Sequence, residues 1–491
     1  MGGRSGSIFA LLLASLPVIL AVAHSPHQPH LRALASDFSS AQPSQQSLCG
    51  EDLDKETGTL NGLYYVFYQA SVDDADKQAA QETNESIPVI LWLSGGPGCS
   101  GVIALLFENG PCMFDDETRN VSVNPYAWTS LAHVIYVDQP LGTGFSDDHL
   151  ELMAAWTEGK ATHDLEHFLK LFFAGHPELI DNDFYVFGES FAGHYVPDLA
   201  AKLLDEDADP RWSRTLKGIG IGNGVVSSTA VADAFIPFAT TNSYGKDLLG
   251  QFKAEIKAAH TTFSASMAEC QRQLLLVADA DDGRKGRASI QIPDDCVTAA
   301  DDYERLRNWA SMAVTSHGWN VYDMRRPCRD DPLGLCYRFS RVEEFVNSDS
   351  ALEYFGESDQ QWELCAMNAG DGLDAVDAIA ESESNVAFVL ERGVRVLVYG
   401  GDADTVVNWQ SQDKWTRSLQ WTHRDEFQAA PLSDYRPENR SVGQVRSSHG
   451  LTFYKIFEAG HMVPHDQPAV AFDMVRRFLF DQEAASPAIF T

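Results

Sequence analysis

Three residue types that together can build a nucleophile stand at comparable places in this chain: Ser190, Asp404 and His461, each just after a short apolar run. A serine hydroxyl is a weak nucleophile; it needs a base to take its proton and a third group to orient that base. Asp183 to Pro197 reads as an apolar strand, a sharp Gly-flanked turn carrying Ser190, and the start of a helix. A corner of this kind exposes the hydroxyl and aims the following backbone N–H at the same point. The strict pattern places Gly two residues after the serine, where this chain has Ala192 followed by Gly193. Asp402 is the rival acid; Asp404, further into the loop and beside Thr405-Val406-Val407, has the better claim. His194, four residues beyond the serine on the same helix, is assigned to packing.

A second candidate is the Gly-rich loop Ser94-Gly-Gly-Pro-Gly-Cys-Ser-Gly101, between the apolar run Ile87 to Leu93 and a helical stretch from Val102 to Glu108. Such a loop can present N–H groups to a phosphate or to a developing oxyanion. The phosphate reading fails, because the loop has no Gly-Lys-Ser/Thr ending and no acid placed to read a ribose. The expected oxyanion donors are therefore the N–H groups of Phe191 and Gly96. A third pattern, His163-Asp-Leu-Glu-His167, matches the H-x-x-E-H of inverted zinc proteases. A solvated helix face gives the same letters, so no metal and no cofactor is expected.

The elements that would position these groups follow from period and length. Gly58 to Ser71 is hairpin-like, with alternating aromatics. Ile87 to Leu93, Ala132 to Asp138, Leu216 to Gly222 and Val394 to Gly401 are continuous apolar runs of strand length, the pattern of strands covered on both faces. Leu451 to Phe457 reads as a last strand. Leu165, Phe168, Leu169 and Phe172 form a helical stripe within Ala161 to Ala174, and Pro468 to Phe480 is a closing helix. From Val225 to Glu391 the texture is helical, polar and Cys-bearing. The expected architecture is α/β: a doubly wound, mostly parallel sheet in two parts, 48–224 and 392–491, with a disulfide-stapled helical insertion at 225–391. The order Ser, Asp, His, each at a strand's C-terminal end, is that of the α/β-hydrolases.

The chain has 491 residues, 44% hydrophobic and 22% charged. That is an ordinary globular composition. Its 36 Lys and Arg against 70 Asp and Glu give a net charge of −34. An acidic excess of this size repels nucleic acid and anionic membranes. Residues 1–23 carry Arg4, an apolar run and the small-residue site Ala21-Val-Ala23, the pattern of a cleaved signal peptide. Once it is removed, no membrane segment is expected. Residues 24–47 read as a flexible leader or short propeptide. Eight cysteines, and sequons at Asn84, Asn120 and Asn439, fit a glycosylated product of the secretory pathway. Spacing alone leaves the cysteine pairing open, and nothing in the chain fixes an oligomeric state.

The motifs Trp92-x-x-Gly-Gly-Pro-Gly-Cys-Ser, Asp138-Gln-Pro-x-Gly-Thr-Gly-Phe-Ser, Gly188-Glu-Ser-x-Ala-Gly-His-Tyr-Val-Pro, Gly401-Asp-x-Asp and Gly460-His-Met-Val-Pro resemble the serine carboxypeptidases, acid-active α/β-hydrolases of vacuoles and lysosomes. Asn320-Val-Tyr-Asp-Met-Arg resembles that family too, and the likeness runs from about Cys49 to Phe480. The resemblance implies removal of single residues from the free C-terminus of a peptide or protein through an acyl-enzyme. It implies that Trp92, Ser94, Gly95 and Glu189 hold the terminal carboxylate, with Glu108 nearby in the leaving-residue pocket; Phe107 and Met462, close to these motifs in the chain, are expected to give that pocket an apolar side. The peptidases mostly carry Asn where this chain has Ser94, and Ser or Thr there resembles the plant acyltransferase relatives, which remain an alternative. A catalytically silent binding relative is another; the intact Ser190, Asp404 and His461 speak against it. By the same resemblance Cys99 pairs with Cys365 and Cys328 with Cys336, leaving Cys270 with Cys296 and Cys49 with Cys112.

Overall fold

The computed structural model describes residues 42–44, 47–51, 53–71, 86–147, 157–280, 293–357, 360–366 and 377–480. The expected signal peptide and Asn84 lie outside them. The strands are β1 (Gln42–Ser44), β2 (Lys55–Leu60), β3 (Leu63–Tyr68), β4 (Val89–Leu93), β5 (Cys112–Phe114), β6 (Val121–Val123), β7 (His133–Val137), β8 (Phe184–Glu189), β9 (Leu216–Gly222), β10 (Arg395–Gly401), β11 (Ser433–Tyr435), β12 (Gly443–Ser448) and β13 (Leu451–Ile456). The principal helices are α1 (Gly101–Phe107), α2 (Glu158–Gly175), α3 (Ala192–Leu203), α4 (Ser228–Thr240), α5 (Lys253–Ala280), α6 (Asp294–Ser316), α7 (Phe339–Val346), α8 (Asp349–Phe355), α9 (Glu383–Glu391), α10 (Trp409–Ser418) and α11 (Pro468–Phe480).

An 11-stranded sheet has the order β1-β2-β3-β7-β4-β8-β9-β10-β13-β12-β11. From β7 through β13 neighbouring strands are parallel. β1 to β3 and β11 to β12 add antiparallel edges. β2 and β3 form the expected hairpin, turning at Asn61 and Gly62, both at positive φ. The strand at Gln42–Ser44 pairs with β2 inside the stretch read as a leader. The sequence reading has no counterpart to β11 and β12. Gly443–Ser448 is polar and only half-buried, so no apolar alternation marks it.

The apolar runs are buried on both sides because successive residues serve two cores. Leu91, Leu93, Val186, Ile219, Ile221 and Val398 point to one face, under Leu165, Phe168 and Phe172 of α2 and Val196 and Leu199 of α3. Ile90, Trp92, Phe187, Leu397 and Tyr399 point to the other, against α1, α7, α8 and Met474, Val475 and Phe478 of α11. Truncating a buried aromatic of this kind to Ala costs roughly 3–5 kcal/mol, so the floor beneath the strand ends is rigid.

Between β9 and β10 a third cluster forms, with Phe238, Leu248, Ile256, Phe263, Tyr303 and Leu306 joining α4, α5 and α6. Disulfides join Cys49 to Cys112, Cys99 to Cys365, Cys270 to Cys296 and Cys328 to Cys336. Asn120 and Asn439 are exposed. No helix among the described residues is long and apolar enough to cross a membrane.

Candidate active site

Ser190 occupies the turn between β8 and α3 with φ 62°. This is the left-handed region, which a non-glycine residue enters only when its surroundings impose it. Those surroundings are explicit. The Ser190 N–H donates to Gly222 O at 3.0 Å, and the Ser190 carbonyl accepts from the N–H of Gly193 and Val225, each at 2.9 Å. The end of β9 thus pins the corner.

The same contacts account for the irregular motif. A Cβ at Gly193 would lie 2.5 Å from Val225 N, whereas a Cβ at Gly188 would lie 2.7 Å from the Ala192 methyl. The close backbone approach therefore falls at Gly193, and Ala192 fits because Gly188 leaves room for it.

Asp404 follows β10 and is fully buried. Its Oδ2 accepts from His461 Nδ1 at 2.7 Å, from Asn223 Nδ2 at 2.8 Å and from Val407 N at 3.2 Å; its Oδ1 accepts from Val406 N at 2.8 Å. A carboxylate accepting in this way fixes the imidazole with its proton on Nδ1, leaving Nε2 as the basic atom. Asp402, the rival acid, is spent elsewhere. It accepts from Tyr244 Oη and from Glu458 N, tying the ends of β10 and β13 together. Sequence reasoning marks Asn223 only as the residue after a strand. In the structure it holds both the acid and the Gly401 N–H, the latter at 3.2 Å.

The Gly-rich loop lies against the serine corner. A Cβ on Gly95 would sit 2.6 Å from Ser190 Cβ and 2.7 Å from Phe191 N. Only glycine allows this approach. Among the described residues, neither Gly96 nor Phe191 donates its backbone N–H to a backbone carbonyl. The loop is held from behind by buried Asp138, which accepts from Ser100 Oγ, Gly101 N and Phe145 N. Burial pushes this carboxyl up to about 6 against those donors. Cys99–Cys365 staples the loop to the stretch between β9 and β10, as do Ser100 N to Leu364 O at 3.0 Å and Ala366 N to Gly98 O at 2.9 Å.

Glu189 and Glu108 meet beside the corner, with their side chains hydrogen-bonded to each other and both buried. Two carboxyls can bond this way only by sharing a proton. Burial pushes Glu108 up to about 7, and burial together with the charge of Glu108 raises Glu189 well above the usual carboxyl range. The family resemblance implies Glu108 at the leaving-residue pocket. Its bond to Glu189 is not legible in the sequence, because one residue ends α1 and the other ends β8. Trp92 Nε1 donates to Ser94 Oγ at 3.3 Å, which leaves the Ser94 hydroxyl proton available. Phe107 is buried and stacks on His465 at 4.1 Å, with Tyr337 and Phe339 around it; Met462 is buried beside His461.

His194 is fully buried against Phe191, with Ser382 Oγ 3.4 Å from its Nδ1, and burial pulls it down to about 3. His163 projects into solvent, and Glu166 pairs with Lys170 at 2.7 Å on the same helix.

The sequence model of the serine carboxypeptidases matches residues 53–481. The chain belongs to the serine carboxypeptidase family. It is 31% identical over 418 residues to serine carboxypeptidase-like 48 of Arabidopsis thaliana, covering 85% of this chain and 75% of that one. Serine carboxypeptidase 3 of Hordeum vulgare is 32% identical over 85% of this chain and 74% of its own. A vacuolar serine-type carboxypeptidase of Saccharomyces cerevisiae is 31% identical over 86% and 78%. Among solved structures, a prohormone-processing carboxypeptidase of Saccharomyces cerevisiae superposes with a TM-score of 0.66 at 22% identity over 90% of each chain. The fold is therefore that of the α/β-hydrolase carboxypeptidases, and the family is one of serine-type hydrolases.

Proposed function

We propose that this serine carboxypeptidase family member releases single residues from the free C-terminus of peptides and proteins, through an acyl-enzyme and at acid pH. The observation that carries the reading is the proton-sharing pair Glu108–Glu189 directly beside Ser190.

Ser190 Oγ attacks the last peptide carbonyl while His461 Nε2 takes its proton, and Asp404 steadies the imidazolium that forms. The oxyanion sits between the N–H groups of Phe191 and Gly96. Such donors each contribute roughly 10²–10³ in rate because they are in place before charge develops. His461 then gives its proton to the departing amine, and water deacylates the serine by the same route in reverse. The substrate's terminal carboxylate is received by the protonated pair Glu108–Glu189, by the Ser94 hydroxyl and by Trp92 and Gly95. Phe107 and Met462 form the apolar side of the leaving-residue pocket.

The sign of the pH effect follows from the raised proton affinity of the pair. Below about 7 both carboxyls are neutral and can donate to a substrate carboxylate; above about 7 Glu108 ionises and repels it. Binding of a free C-terminus therefore weakens as pH rises through 7. Residues 225–391 act as a lid in this reading, and the compartment is vacuolar, lysosomal or extracellular.

Ser94 supports one other outcome, transfer of the acyl group to an acceptor hydroxyl instead of water. The test is turnover of a blocked dipeptide against its C-terminal amide at several pH values. A peptidase prefers the free acid at acid pH. Equal turnover of both substrates, or turnover that proceeds only when an alcohol acceptor is supplied to deacylate the serine, would contradict the proposal.

A further inference from the structure

A charged network outside the triad converges on the base. Asp466 folds back so that its Oδ2 accepts from the Gly460 N–H, one residue before His461, at 2.6 Å. The same carboxylate pairs with Arg325 at 3.1 Å and with Arg326 at 2.7 Å. Both guanidinium groups are held in turn by Asp323, which accepts from Arg325 Nε at 2.8 Å and from Arg326 Nε at 2.9 Å. The side chains of Asp323 and Asp466 are 0% and 1% exposed. The pairing of these carboxylates with Arg325, itself mostly buried, is therefore screened by salt less than a surface ion pair would be, while Arg326 reaches solvent.

The segment 321–324, from which the network hangs, has no regular secondary structure and belongs to the stretch between β9 and β10. It nevertheless touches both loops of the triad. Tyr322 O accepts from the His461 N–H at 2.7 Å, Val321 O accepts from the Thr405 N–H at 3.1 Å, and Met324 N donates to Ala403 O at 3.0 Å. The approach is close enough that a Cβ on Gly460 would lie 2.4 Å from Tyr322 O and 2.7 Å from Asp323 Cβ. Acid loop, base loop and this segment are thus hydrogen-bonded side by side, and the paired arginines and aspartates clamp them from outside.

We infer that Asp466 and Arg325 are positioning residues for His461, setting the imidazole's orientation toward Ser190 by fixing Gly460 against Tyr322-Asp323. The pair touches neither substrate nor the reacting atoms. The Asp466 charge also helps raise Glu108 and Glu189, so it is at acid pH, where that pair is protonated, that the contribution falls on the chemical step and not on substrate binding, because a base displaced by about 1 Å can lose roughly 10²-fold in rate. The inference rests on His461 being the base. It does not depend on which acyl group the enzyme accepts.

The test measures the rate at which a serine-directed phosphonate labels Ser190, which needs Ser190 and the base but no peptide substrate. It compares wild type, Asp466→Ala, Asp466→Asn, Arg325→Ala and Arg325→Lys, alongside kcat and KM for a blocked dipeptide, all at acid pH, where Glu108 and Glu189 are protonated. Labelling and kcat are expected to fall tenfold or more in Asp466→Ala and Arg325→Ala, with KM within about twofold of wild type. The loss should be smaller in Asp466→Asn, whose amide oxygen can still accept from Gly460, and in Arg325→Lys. Should the alanine variants fail to fold, the two conservative variants carry the test, with at least a threefold loss of labelling at unchanged KM. Wild-type labelling rates in the folded variants, whatever their melting temperatures, would overturn the inference. Wild-type protein that is labelled yet cleaves no peptide would instead overturn the proposed function and leave the variant series decisive for this inference.

Discussion

The ends of the parallel strands and the helical stretch between β9 and β10 are built on different principles. At the strand ends, Ser190, Asn223, Asp404 and His461 are each fixed by hydrogen bonds to neighbouring strands and loops, over two cores that bury both faces of the sheet. In the helical stretch, α5 and α6 pack mainly on each other around Phe263 and Tyr303, and a disulfide ties Cys270 to Cys296. Geometry in the first region follows from the sheet. In the second it depends on a covalent staple, except in residues 320–326, where hydrogen bonds and charge attach the chain to the triad loops. Sequence position alone would place that segment with the helices; its contacts place it with the site.

Removing the staple should separate the two regions most sharply. Cys270 and Cys296 are 26 residues apart. The chain-entropy model assigns closure of such a loop about 3.5 kcal/mol. The double variant Cys270→Ser, Cys296→Ser should lose stability of about that size in urea titrations, while the phosphonate labelling rate of the folded enzyme stays at the wild-type level. A large fall in labelling would mean that the helix pair supports the site directly.

A smaller effect, with the opposite split, is expected at the strand ends. Asn223→Ala removes a donor at 2.8 Å from a fully buried carboxylate. Leaving such a group short of a hydrogen bond costs about 1–3 kcal/mol. The variant should melt at a lower temperature and, on the proposed function, also lose roughly tenfold or more in kcat, since Asp404 accepts from His461 Nδ1. A melting shift with unchanged kcat would assign Asn223 to the scaffold alone.

The parallel strands and α2 were legible because buried strands leave continuous apolar runs and a covering helix leaves a 3.6-residue stripe. The turn at Ser190 and the loops that bring Asp404 to His461 were legible from their places after such runs. Asn223 was not, since a polar residue after a strand carries no mark of what it will face. The edge strands β11 and β12 escaped for a related reason: Ser433–Tyr435 and Gly443–Ser448 are mostly polar and partly exposed, so no apolar alternation marks them. The bond between Glu108 and Glu189 depends on β4 lying between β7 and β8, which brings the end of α1 to the end of β8. No local pattern encodes that order. Ala192 reads as a departure from the serine motif, and the packing of Gly188 and Gly193 shows it to be an accommodated one.

On the proposed function, the protonated pair Glu108–Glu189 receives the substrate's free carboxylate. KM for a blocked dipeptide acid, followed from pH 4 to pH 8, tests this in wild type, in Glu189→Gln and in the double variant Glu108→Gln, Glu189→Gln. In wild type KM should rise as pH passes about 7, where Glu108 ionises. Glutamine keeps its N–H donors at every pH. The rise should therefore remain in Glu189→Gln, where Glu108 still ionises, and in the double variant, where neither side chain can ionise, KM should stay flat across that window. A double variant that kept the wild-type pH dependence of KM would contradict the claim that these two carboxyls hold the substrate's free end.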